Sequence, residues 1–229
     1  MRKPAKSAAP DPGGQEPHHS GVDVTPRWFA DAMTACLRDA GVGAEAVAAA
    51  PGATPRLAVG CSGGPDSMAL TYLLRNWSAD RSVPFTALIV DHGLRPEASE
   101  EADRVAGWLG ERGVETVVLH HEGARPRSNI QAQARRMRYD LMRDWCLTHG
   151  VPVLAVAHHL EDQAETFLLR LARGSGVDGL SAMAPVTDVP GDPYRRVTLI
   201  RPLLDIPREE VRAPLVESEW PYVDDPSNR

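Results

Sequence analysis

Short apolar runs alternate with segments of helical periodicity along most of this chain, and this alternation limits the fold more than any other feature. The apolar runs are RLAVG (56–60), FTALIV (85–90), ETVVLH (115–120), PVLAVAH (152–158) and VTLIRPL (197–203). Mostly apolar strands are buried on both faces, which is typical of a parallel sheet covered by helices. Because crossovers are right-handed, the sequence predicts an α/β fold: a doubly wound five-stranded parallel sheet with helices on both faces. Its ligand cleft is expected at the carboxyl ends of the strands.

Composition divides the 229 residues into a tail and one domain. Residues 1–24 are rich in Pro, Gly, Ser and His, so we expect a disordered tail, and residues 25–229 suffice for a single domain with its own core. The chain contains no apolar stretch near the ~18 residues of a membrane span and no secretory signal. Its three cysteines are far apart, with no C-x-x-C pair. We therefore expect no membrane partner and a cytoplasmic location.

The chain is nearly free of lysine. Of its 25 basic residues only Lys3 and Lys6 are lysines, and both lie in the tail. This excludes a Walker A lysine, a kinase strand lysine and a Schiff-base lysine in the domain. A nucleotide would have to be bound by backbone amides, arginines and metal.

The motif SGGPDS lies between the first predicted strand and the helix that follows it. Its glycines allow conformations and close approaches that a Cβ would prevent, and the helix N-terminus offers unpaired N–H groups. A plain tight turn with serine capping explains the glycines alone about equally well, but the strand–loop–helix context favours a polyphosphate. We predict that the loop binds ATP through Ser62, Gly63, Gly64, Pro65, Asp66 and Ser67.

Four polar residues follow two other predicted strands. Asp91 ends the second strand and is expected to contact Mg²⁺ or adenosine; the alternative is a residue that starts a turn. His158, Asp162 and Glu165 are spaced by four and three, so on a helical trace they share one face. Helix-dipole compensation would explain the two acids, and a satisfied strand-end histidine would explain His158. Their convergence at the cleft indicates Mg²⁺ ligation and general acid–base chemistry.

The predicted helix from Ser128, with a Ser128/Gln131 capping box, is rich in arginine. Its expected apolar stripe is Ile130, Ala134, Met137, Leu141 and Trp145. Arg138 borders that stripe and is the best candidate to bind phosphate bidentately, whereas Arg136 and Arg143 lie opposite it. The arginines from Arg125 to Arg143 form either a solvated face or a tRNA contact. The net charge of −6 means that any RNA contact must be local.

Several motifs resemble those of the tRNA(Ile)-lysidine synthetase family of PP-loop ATP pyrophosphatases. They are SGGPDS, VDHGLR (90–95), NIQAQARRMRY (129–139), AHHLEDQAETFLLRLARGSGVDGL (157–180), RPLL (201–204) and DDPSNR (224–229), in the family's order. The first motif is shared by several families, whereas HHLEDQAET together with RGSGVDGL is far more specific. Glu161 stands where that family often has Asp, which is a mild departure.

The resemblance implies a PP-loop (adenine nucleotide alpha hydrolase-like) fold and a reaction in two steps. ATP adenylates O2 of the wobble cytidine in an isoleucine tRNA with a CAU anticodon, and free lysine then displaces AMP to form lysidine. The motif with His158, Asp162 and Glu165 serves the adenylation, and we add Asp66 to these catalytic candidates. Asp66 and Asp162 are the expected Mg²⁺ ligands, while Asp91 and Arg138 are expected to assist ATP binding.

Two alternatives stay open. A PP-loop tRNA thiolation enzyme shares the adenylation step, although such enzymes usually bring cysteine pairs, and a non-catalytic ATP-binding remnant would keep only the loop. The resembled family continues past DPSNR into tRNA-recognition parts, which we expect this chain to lack. We therefore expect Mg-ATP binding with weak tRNA binding. The Gly/Pro-rich segment Gly174–Arg196 reads as a functional loop, and a homodimer is compatible with the sequence.

Overall fold

The computed structural model describes residues 24–42, 57–93, 97–121, 129–172, 174, 183–192 and 194–224. The predicted tail, Arg125, Ser128 and the final DPSNR lie outside these residues, apart from Val24 at the tail's end. The helices are α1 Pro26–Asp39, α2 Pro65–Arg81, α3 Glu97–Gly110, α4 Ile130–His149, α5 Leu160–Ala172 and α6 Arg208–Glu217. The strands are β1 Leu57–Gly60, β2 Phe85–Asp91, β3 Glu115–His120, β4 Val153–Ala155, β5 Val186–Asp188 and β6 Thr198–Ile200. Within the described part of the chain, no helix is both long and apolar enough to cross a membrane.

The strands form one sheet in the order β3-β2-β1-β4-β6-β5. β1 pairs in parallel with β2 on one side and with β4 on the other, so Ala58 lies opposite both Thr86 and Leu154. The five predicted parallel strands are confirmed. The strand order reverses at β1, which is the point where ligands bind in doubly wound sheets.

A sixth strand, β5, corrects the predicted strand count. It runs antiparallel to β6 at the sheet edge, with Val186 opposite Ile200. β5 lies inside the segment that was predicted as a loop, from Gly174 to Arg196. Three residues are too few to show a two-residue period, so this strand exists through its pairing with β6 rather than through its own sequence.

Helices cover the two faces of the sheet unequally. On one face, α1, α2, α3 and α6 share a core with the side chains of Leu57 and Val59 from β1. On the other, α4 packs through Met142 and Cys146 against a second core that includes Ala58. Alternate residues of the central strand therefore belong to different cores, as the two-residue period of a strand requires.

The predicted apolar stripe of α4 is wrong. Ile130 is 51% exposed, no residue of the stripe is fully buried, and the buried residues of the helix are Met142 and Cys146, each one position after a predicted one. Only the C-terminal half of α4 packs on the sheet, so its N-terminal half is left at the carboxyl edge of the strands. Arg143 is also not a free solvated residue, because its guanidinium contacts Asp140 at 2.8 Å and donates to the Pro190 carbonyl.

Candidate active site

A cavity of about 700 Å³ opens at the carboxyl ends of β1, β2 and β4, where the topology predicts a ligand. Nine of the predicted site residues line it. They are Ser62, Gly64, Pro65, Asp66, Ser67, Arg138, His158, Asp162 and Glu165. The structure therefore brings together residues from the loop after β1, from α2 and α4, and from α5 and the residue His158 before it, which are up to about a hundred positions apart in the chain. The other two predicted site residues, Gly63 and Asp91, do not line the cavity and lie behind the residues that do.

The loop from Ser62 to Ser67 is fixed by its own hydrogen bonds and by a close approach at one glycine. Gly63 has φ +82°, and a Cβ there would lie 2.6 Å from Val105 Cγ2. The Ser67 hydroxyl accepts from Ser62 N at 3.1 Å and donates to the Gly64 carbonyl at 3.0 Å. Gly64 is the N-cap of α2 and has no capping side chain, so the first amides of that helix remain available to an anion.

Asp66 forms a bidentate ion pair with Arg212 of α6. The Asp66 carboxylate accepts from Arg212 Nε at 2.6 Å and from Nη2 at 3.1 Å. Burial acts to raise the pKa of Asp66, but the hydrogen bonds from His159 and Arg212 outweigh it and lower that pKa to about 2. Asp66 therefore links the start of α2 to α6 and is ionised at neutral pH.

His159 is a site residue that the sequence interpretation missed. It is 2% exposed, and its Nε2 lies 3.6 Å from carboxylate oxygens of both Asp66 and Asp162. Burial acts to lower the pKa of His159, but these two carboxylates outweigh it and raise the pKa. The only signal in the sequence was its place next to His158, and spacing alone does not show which of two adjacent histidines faces the acids.

Helix α6 contributes a second missed group, Arg208. Its backbone N–H donates to both carboxylate oxygens of Glu161, at 2.9 and 3.1 Å, and its Nε lies 3.3 Å from His159 Nε2. Arg208 and Arg212 are four residues apart and so share a face of α6. The sequence PREEVR shows this spacing, but it does not show that these arginines face the cleft.

His158 lies among arginines. Its Nδ1 accepts from Arg201 Nε at 3.1 Å, and its Nε2 lies 3.2 Å from Arg135 Nη2. Burial, followed by the charges of Arg135 and Arg201, lowers the pKa of His158 to about 3. The imidazole is therefore neutral at physiological pH. His158 also precedes α5, which starts at Leu160, so it is not on the helical face that holds the two acids.

Asp162 and Glu165 lie in the first two turns of α5 and line the cavity. Asp162 Oδ2 accepts from the His159 backbone N–H at 2.9 Å, so this carboxylate also caps the start of the helix, which adds a structural role beside the helix-dipole alternative. The capping role and a role in the site are compatible, because only Oδ2 of Asp162 makes this contact and Oδ1 is left for a ligand.

Asp91 is buried and organises the end of β2. Its carboxylate accepts from Ser99 Oγ at 2.5 Å and from Gly93 N at 2.8 Å, and lies 3.4 Å from His120 Nδ1. Ser99 looks like an N-cap in the sequence, because acidic residues follow it, but α3 begins at Glu97 and the Ser99 hydroxyl donates to Asp91. The next residue, His92, lines the cavity.

The carboxylates fit Mg²⁺ only together with a phosphate ligand. Among the described residues, no group of three His, Cys, Asp or Glu side chains is arranged to hold a metal. Mg²⁺ bound with a nucleotide needs one or two carboxylates, because water and phosphate oxygens fill the other positions. Asp162 and Glu165 can supply such ligands, whereas both oxygens of Asp66 already accept from Arg212.

The amino-acid sequence is similar to those of several tRNA(Ile)-lysidine synthases. A tRNA(Ile)-lysidine synthase of Wolbachia pipientis wMel is 46% identical over 178 residues, which are 76% of this chain and 39% of that protein. One from Bradyrhizobium diazoefficiens is 42% identical over 177 residues, 76% of this chain and 48% of that protein. The chain thus spans about two fifths to one half of these relatives, and the resemblance noted from its motifs is confirmed.

The fold is also found among solved structures. The U34-tRNA thiolase NcsA from Methanococcus maripaludis matches 87% of this chain and 66% of its own with a TM-score of 0.67 at 20% identity. Candida glabrata FMN adenylyltransferase matches 83% of this chain and 56% of its own with a TM-score of 0.51 at 8% identity. These likenesses concern the fold alone. The family model of the PP-loop domain matches residues 44–229, and the chain therefore belongs to the PP-loop family.

Proposed function

We propose that this chain catalyses the ATP-dependent ligation of lysine to the wobble cytidine of an isoleucine tRNA with a CAU anticodon. The observation that carries this proposal is the identity of 42–46% to tRNA(Ile)-lysidine synthases over three quarters of the chain. The PP-loop domain, residues 44–229, contains every residue that lines the cavity.

In the first step, the cytidine O2 attacks the α-phosphate of ATP and pyrophosphate leaves. The loop Ser62–Ser67 would bind the phosphates through the free amides at the start of α2, where the helix dipole favours negative charge. Mg²⁺, when bound by Asp162 or Glu165 together with ATP, would neutralise charge on the departing pyrophosphate. Asp66 would act by holding α2 against α6 through Arg212, and it becomes a metal ligand only if that pair opens.

In the second step, an amino group of lysine attacks C2 of the adenylated cytidine, and AMP leaves with the former O2. The attacking nitrogen must lose its proton, and the carboxylates of Asp162 and Glu165, which line the cavity, would accept it. The pKa of His158 is lowered to about 3, which makes it a weak base, so its part would be to orient neighbouring groups by hydrogen bonds.

The cysteines do not support the sulfur-transfer alternative. Cys36, Cys61 and Cys146 are all buried, and burial raises the pKa of each thiol, that of Cys146 to about 12. Cys36 and Cys61 belong to the core on one side of the sheet and Cys146 to the core on the other. A thiolate nucleophile needs a lowered pKa and exposure.

Nucleoside analysis tests the proposal. A tRNA transcript with the CAU anticodon is incubated at low salt with the chain, Mg-ATP and lysine, then digested and examined by mass spectrometry. We expect cytidine to be converted to a nucleoside heavier by one lysine less one water, with one AMP formed per modification. A transcript whose wobble base is uridine serves as the matched control. A sulfur-containing product, or modification that does not need lysine, would contradict the proposal.

A further inference from the structure

We propose that Arg135 and Arg138 of α4 form a second anion site, which holds a backbone phosphate of the RNA substrate opposite the loop that binds ATP. The inference rests on the proposed function in taking an RNA as substrate. Beyond that function, it assigns a second anion site to the cleft, names an RNA phosphate as its ligand, and places it on α4.

The first observation is an excess of positive charge without a matching acid. Arg135 and Arg138 line the cavity, and Arg201 lies behind them against His158. Among the described residues, none of the three forms an ion pair with a carboxylate. Arg201 donates to the Ala184 carbonyl and to Thr187 Oγ1, both neutral, although it is only 9% exposed. Arg135 lies over the Tyr139 ring at 5.3 Å.

Buried charges without a partner are costly, so such groups are normally paired or bind an ion. The Nε of Arg138 is buried and has no hydrogen-bond acceptor among the described residues. Burial, and then the charge of Arg135, lowers the pKa of Arg138. An anion between the two guanidinium groups would satisfy that N–H and offset the repulsion between them.

The contacts of His158 lead to the same conclusion. Both of its ring nitrogens face guanidinium groups, Arg201 at 3.1 Å and Arg135 at 3.2 Å. A neutral imidazole has one acceptor nitrogen and one N–H, so it can accept from only one of the two. With Nδ1 accepting from the buried Arg201, Nε2–H faces Arg135. An oxyanion would take both the Nε2–H and the Arg135 donors.

The position of these arginines favours an RNA phosphate over the ATP contact that the resemblance implies for Arg138. The ATP loop starts α2, which packs on one face of the sheet, whereas α4 packs on the other. From Arg138 the basic residues continue through Arg135 to Arg136, which is 86% exposed and lies 3.7 Å from Asp140, so basic side chains extend from the cleft to solvent. A polyanion that enters from solvent fits this arrangement better than a small molecule enclosed by the cavity. In a chain of net charge −6, such a local strip is what RNA binding requires.

The test measures RNA and ATP binding separately on the 229-residue chain. The RNA probe is a fluorescent anticodon stem–loop with the CAU sequence, titrated at several salt concentrations, and Mg-ATP binding is measured by calorimetry. For Arg138→Gln we expect RNA binding about tenfold weaker and a salt slope smaller by about one, with unchanged Mg-ATP affinity. Arg135→Gln should act in the same direction. The matched control is Arg38→Gln on α1, 75% exposed and paired with Asp39, which should change neither affinity.

Thermal melting separates a binding role from a structural one. Removing an uncompensated buried charge should leave the melting temperature of Arg138→Gln equal or higher, whereas a structural arginine would lower it. Arg138→Lys keeps the charge without the fork, and its RNA affinity should be intermediate.

Three results would overturn the site. They are a loss of Mg-ATP affinity with an unchanged RNA salt slope, unchanged RNA binding in both arginine variants, and no RNA binding by the unaltered chain at the lowest salt. Failure of the proposed function gives a different result, since RNA would then bind through Arg138 without forming lysidine.

Discussion

At the residue scale, the two glycines of the phosphate loop have different roles. Gly63 has φ +82°, a Cβ added there would meet Val105, and its carbonyl accepts from Val223 N at 2.9 Å. Gly64 has φ −70° and caps α2. Only Gly63 is in the left-handed region that other residues avoid.

We predict that Gly63→Ala abolishes most Mg-ATP binding and destabilises the fold by about 1–2 kcal/mol, because the new Cβ is strained and meets Val105. Gly64→Ala is the matched control, and its free energy of unfolding should change by less than about 1 kcal/mol. Calorimetry and urea unfolding measure both effects. Equal losses in the two variants would show that the positive φ is not the cause.

The pKa of His158 predicts how stability depends on pH. The unfolded chain protonates this histidine near pH 6.5, whereas burial and the neighbouring arginines delay protonation in the folded state to about pH 3. Between these values the unfolded state binds more protons, so this residue makes stability fall as pH is lowered from 6.5. By pH 4.5 the loss is about 2–3 kcal/mol.

The variant His158→Gln removes this titration and should flatten the decline between pH 6.5 and 4.5. Urea unfolding of both proteins over that range measures the difference. His159, whose pKa is raised, titrates in both proteins and so serves as an internal control. An equally steep decline in His158→Gln would mean that His158 is not buried among charges.

The choice between adjacent histidines shows the limit of sequence reasoning at this scale. Spacing and resemblance directed attention to His158, Asp162 and Glu165, and all three line the cavity. The buried contacts between His159 and the acids depend on where α5 begins and on the side chains that α6 brings, neither of which spacing specifies.

At the element scale, α6 is joined to α2 and α5 through charged groups. Arg212 pairs with Asp66 of α2, and the Arg208 backbone pairs with Glu161 of α5. The sequence pattern alone does not specify these partners of α6. It likewise could not predict β5, because that strand is three residues long and depends on β6.

We predict that Arg212→Met lowers the free energy of unfolding by about 1–2 kcal/mol at pH 7. His159 and Arg212 together lower the pKa of Asp66 from its ordinary 3.8 to about 2, and the variant loses only the part of this stabilisation that Arg212 supplies. Because the folded pKa is the lower one, the stabilisation is present above pH 4 and is lost as pH falls through about 2.

A double-mutant cycle with Asp66→Asn tests whether the pair is direct. We expect the double variant to lose clearly less than the sum of the single losses. Additive losses would contradict the ion pair and return Asp66 to the role of an independent metal ligand. Exposed Arg38 with its neighbour Asp39 provides a control pair, for which coupling should be small.

At the whole-molecule scale, the fold places two different positive sites around one cleft. The helix N-terminus of α2 lies on the face shared by four helices, and the arginines of α4 lie on the other. The alternation of apolar runs predicted this sheet and its cleft correctly, because a continuous apolar run indicates by itself a strand that is buried on both faces. The placement of α4 could not be predicted in the same way, because the sequence does not show which half of this long helix packs against the short strands.

Helix α5 has a further property that belongs to this scale. None of its residues is buried, and Phe167, Leu168 and Leu171 are between 42% and 61% exposed. The homodimer that the sequence allows stays a prediction. These exposed apolar side chains are a candidate interface, and sedimentation of a Leu168→Glu variant tests whether they form it. We expect a dimer, if formed through this helix, to dissociate in that variant.

In the proposed function, ATP activates the cytidine oxygen, which then leaves with AMP. The decisive experiment uses a CAU stem–loop RNA whose wobble cytidine carries a heavy oxygen isotope at O2. After incubation with the chain, Mg-ATP and lysine, the released nucleotide is examined by mass spectrometry. We expect AMP that contains the heavy oxygen, formed only when lysine is present. Unlabelled AMP, or ADP in its place, would rule out activation of the cytidine oxygen by ATP.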